Sequence, residues 1–304
     1  MELQELLDSI ERIDPDRGYW FFRTDTGVNF ETFVKHGFIG IGWNEITLTD
    51  LIALTPAEVK DKIAKVYQLD LSTPLGKSNN TAIYNKIIKF TELKKGDLVV
   101  IPTRGGERLA FGEIIDSKIY SDTEPVETCD YVKRRKVRWL VTKYLDDLDS
   151  VFYQIKKPVQ TIFNIKPYQP YLDKITETLF KKDDFVHYVL DLKTKNDIDL
   201  NLLVELMESI NELAKRINSE FDLGEESLQI SVKLNLQSPG SVEFIRKVGR
   251  TLIILGFALS SCTSGEETGN KKVDDFIKVN QPLLDKTDTI IKKLDGDREK
   301  MKNI

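Results

Sequence analysis

The sequence predicts an α+β fold, with an N-terminal small β-barrel carrying flanking helices and a C-terminal helix-rich α+β module. Three observations predict it. Aromatic and β-branched residues crowd between glycines in Gly18-Tyr19-Trp20-Phe21-Phe22-Arg23-Thr24 and Phe38-Ile39-Gly40-Ile41-Gly42-Trp43, which is strand composition. Two apolar runs, Leu98 to Thr103 and Leu109 to Ile115, flank Arg104-Gly105-Gly106-Glu107 and read as a hairpin that pairs with the aromatic strands. In the second half, Leu203, Leu206, Ile210, Leu213 and Ile217 recur on one helical face, and Leu228 to Leu236 alternates strictly like a half-buried strand.

Each element follows in order. Leu3, Leu6, Leu7 and Ile10 make a short helix that Asp14-Pro15-Asp16 stops, expected to dock on the first domain. After the first aromatic strand, Asp25-Thr26-Gly27 turns the chain, and residues 29–36 form a helical turn or two with Phe30 and Phe33 inward. Thr55-Pro56-Ala57-Glu58 starts a capped helix with Val59, Ile63 and Val66 on its apolar face. Residues 71–80 read as a polar loop, and Thr81 to Leu93 as a helix with Ile83, Ile87, Ile88 and Phe90 inward. The hairpin follows, then Lys118-Ile119-Tyr120, an acidic loop, and a strand from Tyr131 to Leu140.

Pro167, Pro170 and the charges after them mark a boundary, giving domains 1–175 and 185–304. A chain of 304 residues has room for about two. The second opens at Asp197-Ile198-Asp199-Leu200 with the long helix, which runs to about Phe221 and is closed by Gly224. Ser238-Pro239-Gly240-Ser241 turns the chain into Val242 to Ile245, which fits helix or strand, and residues 249–262 form an apolar helix. The tail, with Phe276, Ile277, Leu283, Leu284, Ile290, Ile291 and Leu294 among charges, reads as one or two surface helices.

Composition narrows the function. A net charge of -5 speaks against an all-over basic coat, while local basic patches still act within a Debye length of about 8 Å. Cys129 and Cys262 lack disulfide or zinc spacing, the N-terminus lacks a secretion signal, and the apolar stretch 251–259 is far short of the roughly 20 residues that cross a bilayer. The expected setting is cytoplasmic, with no membrane partner. Leu259-Ser260-Ser261-Cys262 has the look of a lipoprotein box but lies inside the chain, so it reads as a helix end.

Lys133-Arg134-Arg135-Lys136 and Arg138 form the densest basic cluster. Strand alternation puts Lys133, Arg135 and Val137 on one face and Arg134, Lys136 and Arg138 on the other, an electrostatic stripe. With Arg104 these six basic residues are candidate phosphate contacts, set against the ordinary alternative that they are solvated surface. Trp20, Arg23, Thr24, Trp43, Asn79, Asn80 and Thr103 supply the flat walls and edge donors that a flipped base needs. The competing reading puts Trp20, or both tryptophans, in the core.

The order of Tyr19-Trp20-Phe21-Phe22-Arg23, Gly40-Ile41-Gly42-Trp43, Lys95-Gly96-Asp97-Leu98-Val99, Gly112-Glu113-Ile114 and Arg138-Trp139-Leu140 resembles the N-terminal domain of Mrr-type restriction system proteins, over roughly residues 15 to 170. That domain is similar to EVE domains of the PUA-like superfamily, small barrels that bind nucleic acids and can hold a modified base in an aromatic pocket. The resemblance implies a PUA-like barrel, an Asn-containing segment facing the pocket, with Trp43 favoured over Trp20 as its wall, and a prokaryotic restriction or antiviral defence setting. Mrr-type proteins usually continue into a metal-dependent nuclease domain. Here Glu58-Val59-Lys60 matches the tripeptide of such a site but falls in a capped helix, and Gln229 to Lys233 has the wrong spacing.

His36 and His187 lack a Cys or Ser partner in motif spacing, and Gly105-Gly106 is a turn without phosphate-loop context. The expectation is a nucleic-acid reader, DNA before RNA, with no catalytic residue, metal or cofactor in this chain. Residues 185–304 are then a module for homo-oligomerisation or an effector partner. Two other classes stay open: a metal-dependent nuclease with an unrecognised site, and a regulatory module binding a small ligand or a protein.

Overall fold

A computed structural model of the chain describes residues 1–127, 129–157, 160–192, 198–224, 229–235 and 240–295. The fold is α+β, in two compact units: Asp16–Leu172, and a discontinuous unit of Met1–Pro15 with Asp173–Ile304.

The chain opens in the discontinuous unit with α1 (Leu3–Asp8) and β1 (Glu11–Ile13). Leu6, Leu7 and Ile10 are buried with Leu203, Val186 and Leu252. The expected docking of this helix on the first domain, and its place within 1–175, are therefore corrected. Its apolar face finds its complement only in residues more than a hundred positions away, which no local pattern reveals.

The Asp16–Leu172 unit then runs β2 (Tyr19–Phe22), α2 (Phe30–His36), β3 (Phe38–Ile41), α3 (Leu48–Ala53), α4 (Pro56–Val66), α5 (Pro74–Glu92), β4 (Leu98–Pro102), β5 (Arg108–Ile114), β6 (Tyr120–Ser121), β7 (Lys133–Tyr144), α6 (Phe152–Ile155) and β8 (Ile162–Asn164). Its sheet has the order β3-β7-β5-β4-β2-β8, with β6 also on β7. Strand β7 serves two neighbourhoods: residues 133–136 pair with β3 and its remainder with β5 across a register shift at Phe111/Gly112. A Cβ on Gly112 would lie 2.5 Å from Val137 Cγ1 and 2.6 Å from the Trp139 ring, so only glycine lets the strands meet there.

Of the two aromatic strands, the hairpin β4–β5 pairs with β2 only, in parallel; β3 goes to β7. Phe22, Phe33, Phe38, Phe90, Val99 and Ile101 fill the core between. Thr55 and Glu58 cap α4 reciprocally, as their spacing predicts.

The second correction is α5, which starts at Pro74 where a polar loop is expected through residue 80. The Thr73 hydroxyl accepts from the Gly76 N–H, Pro74 occupies the first turn, and a Cβ on Gly76 would strike Asp70 O at 1.9 Å. Ser78, Asn79 and Asn80 are poor helix formers that tertiary packing carries into the helix.

Helix α7 (Gln169–Thr176) spans the boundary, and beyond it lie β9 (Leu179–Lys182), β10 (Phe185–Leu192), α8 (Leu200–Glu220), β11 (Ser231–Asn235), β12 (Gly240–Lys247), α9 (Arg250–Ser264) and α10 (Lys271–Asp295). The sheet order is β1-β9-β10-β12-β11. The β9–β10 hairpin falls where a linker is expected, because Lys181-Lys182-Asp183-Asp184 hides an alternating strand pattern behind surface charge. Val186, Tyr188, Leu190, Val242 and Phe244 project from one face into the core that α8 and α9 complete. The tail is one helix of 25 residues, α10, whose Val273, Phe276, Leu284, Ile290 and Leu294 are buried in that core, so it is no surface appendage. The predicted Leu228, Leu236, Ser238-Pro239 and Asp197 positions lie outside the described residues.

Among the described residues no helix is long and apolar enough to cross a membrane.

Candidate functional site

Trp43 is the residue around which a site can be built. It follows β3 and Gly42, where a Cβ would come within 3.2 Å of the Tyr131 ring, and it sits in the left-handed region at φ 55°. For a bulky side chain that backbone costs on the order of 1–3 kcal/mol, and such strain persists only where surrounding bonds over-determine it. Here Trp43 O accepts from Ile46 N at 3.0 Å and from Lys133 Nζ at 2.8 Å.

The half-buried indole touches two apolar clusters, one of them formed by Ile46, Val59, Ile63 and Ile87 with Ile83 and Tyr84 at its margin. Lys86 Nζ lies 5.4 Å from the Trp43 ring and Lys60 Nζ 5.0 Å from the Tyr84 ring. Two cations thus flank two aromatics.

The three tryptophans differ in what their indole N–H does. Trp20 Nε1 donates to Asp97 Oδ2 at 2.9 Å and Trp139 Nε1 to Phe33 O at 2.8 Å. Trp43 Nε1 has no protein partner among the described residues. Asn80 is 5% exposed and its Oδ1 has no hydrogen-bond partner. It lies on α5 one turn before Ile83 and Tyr84, on the stripe that reaches the Trp43 cluster, while Asn79 is exposed.

The other predicted pocket residues are engaged elsewhere. Asp97 takes Trp20 together with the Gly18 and Lys94 backbone N–H groups, a knot that joins the starts of β2 and β4. Arg23 donates to Lys156 O at 2.8 Å, the buried Thr24 hydroxyl donates to Pro102 O, and Thr103 Oγ1 accepts from Arg108 N. Thr24, Thr103 and exposed Arg104 meet at the ends of β2 and β4, since a Cβ on Gly27 would strike Arg104 N at 2.1 Å. The structure joins Trp43 to Lys133, and Thr24 to Thr103 and Arg104.

The basic stripe is corrected most. Lys133, Arg134 and Arg135 are all buried, at 1%, 1% and 2% exposure. The Arg134 guanidinium donates to Tyr131 O, Asp122 Oδ2 and Glu124 O, and lies 4.9 Å over the Phe38 ring. Arg135 donates to Phe90 O and Thr91 O, the terminal carbonyls of α5, with Asp116 3.7 Å away. Burial pushes the Lys133 amine down to about 8, against the pull of the Glu45 and Asp50 carboxylates. None of the three can reach a phosphate. Lys136 and Arg138 remain at the surface, Arg138 paired with Glu113 at 2.6 Å. Alternation misleads here because both faces of this part of β7 are covered.

Lys60, Tyr84 and Lys86 are absent from the sequence-derived set. Their signal was the helical spacing of Tyr84 and Lys86 against Ile83 and Ile87, hidden because the approach of α4 to α5 is tertiary.

Elsewhere the polar groups are structural in geometry. The Glu58 carboxylate is taken up by Thr55 N at 2.7 Å and Thr55 Oγ1 at 2.8 Å. His187 stacks on Phe180 with centroids 4.7 Å apart, and its Nδ1 lies 2.7 Å from Glu243 Oε1, whose Oε2 meets Lys174 Nζ at 2.6 Å. Burial pushes the Glu243 carboxyl up, but the bonds from His187 and Lys174 outweigh it and hold the group near about 2. His36 lies 3.2 Å from Glu127. No group of three or more His, Cys, Asp or Glu among the described residues is placed to hold a metal ion.

Residues 23–166 match a family model described as a domain of unknown function (DUF8426), a span that lies inside the Asp16–Leu172 unit. No curated protein and no solved structure matches the chain.

Proposed function

We propose that the Asp16–Leu172 unit binds nucleic acid by stacking one extruded or unpaired base on Trp43. The observation that carries the reading is this residue's state: a half-buried indole on a strained, left-handed backbone, whose N–H has no partner among the described residues, beside a lysine ammonium 5.4 Å from its ring. A stacked base needs a flat apolar wall and an edge donor, and a following phosphate needs a cation within reach. Trp43 offers the first two and Lys86 with Lys60 the third, replacing the buried β7 residues as phosphate contacts.

The EVE-like resemblance of the sequence extends the proposal to a modified base in a prokaryotic restriction or defence setting. That extension rests on analogy of fold and motif order. The unit acts as a reader, with chemistry on the nucleic acid left to a partner.

Two phosphate contacts give a weak salt slope of about -1.8 on a log-log plot for duplex DNA, and stacking contributes roughly 1–3 kcal/mol. Fluorescence anisotropy with matched duplexes, plain and carrying methylated or hydroxymethylated bases, tests this at two salt concentrations. Trp43→Ala is expected to weaken binding by about 5- to 150-fold. Lys86→Ala should flatten the slope by about 0.9 with a smaller loss. Absence of binding to every duplex at low salt would sink the DNA reading, and a free modified nucleoside that binds without salt dependence would favour a small-ligand regulator.

A further inference from the structure

The sheet of the discontinuous unit ends on one side in β11, an edge strand of unusual character. Among the described residues its hydrogen-bonding neighbour is β12 alone, so its outer row of N–H and C=O groups faces away from the sheet. Val232 and Leu234 project to the side of the sheet that bears α8, yet they are 40% and 47% exposed, and Val204 across from them on α8 is 47% exposed. Between α8 and the strand lies an open groove of about 540 Å³, lined chiefly by Leu203, Val204, Met207, Ile230, Val232 and Leu234. Folded proteins blunt free edges with charge, brevity or bulges. The opposite edge, β1, follows that rule, being three residues long with Glu11 and Arg12 exposed. Strand β11 follows it only in part: Lys233 charges the face turned away from α8, while Val232 and Leu234 stay exposed on the groove side.

We propose that β11 is the dimerisation edge of this protein, pairing antiparallel with β11 of a second copy about a two-fold axis through Val232. The strand is its own complement in that register. Residues 229–235 are symmetric about position 232: Gln229 falls opposite Asn235, Ile230 opposite Leu234, Ser231 opposite Lys233, and Val232 opposite itself. Apolar residues meet apolar ones on the groove side, and polar residues meet polar ones on the other. Shifting the axis to Lys233 would keep the faces matched but set two ammonium groups against each other, which the Val232 register avoids.

The pairing would join two five-stranded sheets into one of ten strands and close the groove of each copy with the other's apolar residues. Because the two-fold axis pairs β11 with itself, the contact uses up that edge in both copies and the assembly stops at a closed pair rather than a filament.

Light scattering coupled to size exclusion on the full chain tests it. The expected mass is twice 34.9 kDa, and Val232→Lys should shift the protein to monomer while far-UV circular dichroism stays unchanged. In a Cys262→Ser background Val232→Cys gives an independent readout: the two new thiols face each other across the axis, so mild oxidation should yield a covalent dimer on a non-reducing gel, absent from Cys262→Ser alone, whose remaining cysteine, Cys129, is buried. This readout stands even if Val232→Lys fails to fold. A wild-type chain that stays monomeric at its highest soluble concentration overturns the proposal and leaves the groove to another occupant, such as a foreign strand. So does a dimer in which Val232→Cys forms no cross-link.

Discussion

At the scale of single residues, Lys133 shows how an apparent surface charge becomes a buried one. Its amine reaches Trp43 O across 90 positions of sequence, and burial holds its protonated form at a cost. The folded amine releases its proton at about 8 and the unfolded one at 10.5, so between those values the unfolded chain carries more protons and stability rises with pH. Lys133→Met removes the effect. The wild type should therefore gain stability relative to this variant from pH 8 to 9.5, by at most about 1.4 kcal/mol per pH unit, in urea unfolding followed by fluorescence. A flat difference would mean that the amine is hydrated. Glu243 gives the same pH sign for the opposite reason, its charged form being favoured: its carboxylate is stabilised by Lys174 and His187, and that contribution is lost as pH falls from 4.5 toward about 2. Glu243→Ala should cost about 3–5 kcal/mol at neutral pH, because the Lys174 ammonium loses its counter-charge and His187 Nδ1 its hydrogen-bond partner in a buried setting.

At the scale of elements, the ends of helices decide the design. The N-termini of α3, α4 and α5 are capped by Thr47, Thr55 and Thr73, each within three residues of the group it serves. The C-terminus of α5 is served by Arg135, 45 and 44 residues from Phe90 and Thr91. Arg135→Ala should cost about 3 kcal/mol by leaving two carbonyls without a donor in the core, and Arg135→Lys should recover only part, since a single ammonium cannot reproduce the forked geometry. Denaturant midpoints of the three proteins check this. The same contrast explains what was legible. The Thr55-Pro56-Ala57-Glu58 box, the Phe30 and Phe33 face and the β4–β5 hairpin are local patterns that the structure keeps within a residue or two. The helix through Asn79 and Asn80, the linker that proved to be the β9–β10 hairpin, and the basic stripe misled because each depends on what packs against it.

At the scale of the whole molecule, the chain leaves the discontinuous unit after Pro15 and returns at Asp173. Residues 16–172, expressed alone, should fold with a cooperative thermal transition. Residues 173–304 without 1–15 should not, because they lose β1 from the sheet edge and the buried Leu6, Leu7, Ile10 and Ile13. At about 1.5–3 kcal/mol per side chain, that burial rivals the roughly 5–15 kcal/mol that holds an entire domain. Circular dichroism melts of both fragments, with and without an added peptide of residues 1–15, decide the matter. The sequence by itself determined the α+β class, most of the elements and the capped start of α4, since each is written in residues a few positions apart. Only the tertiary structure decided which unit owns the N-terminus, which of the basic residues are buried as bonded structural groups, and which lysines stand beside Trp43. Those outcomes depend on burial and partners supplied from tens to hundreds of positions away, and a periodicity read along one segment carries no record of what will cover it.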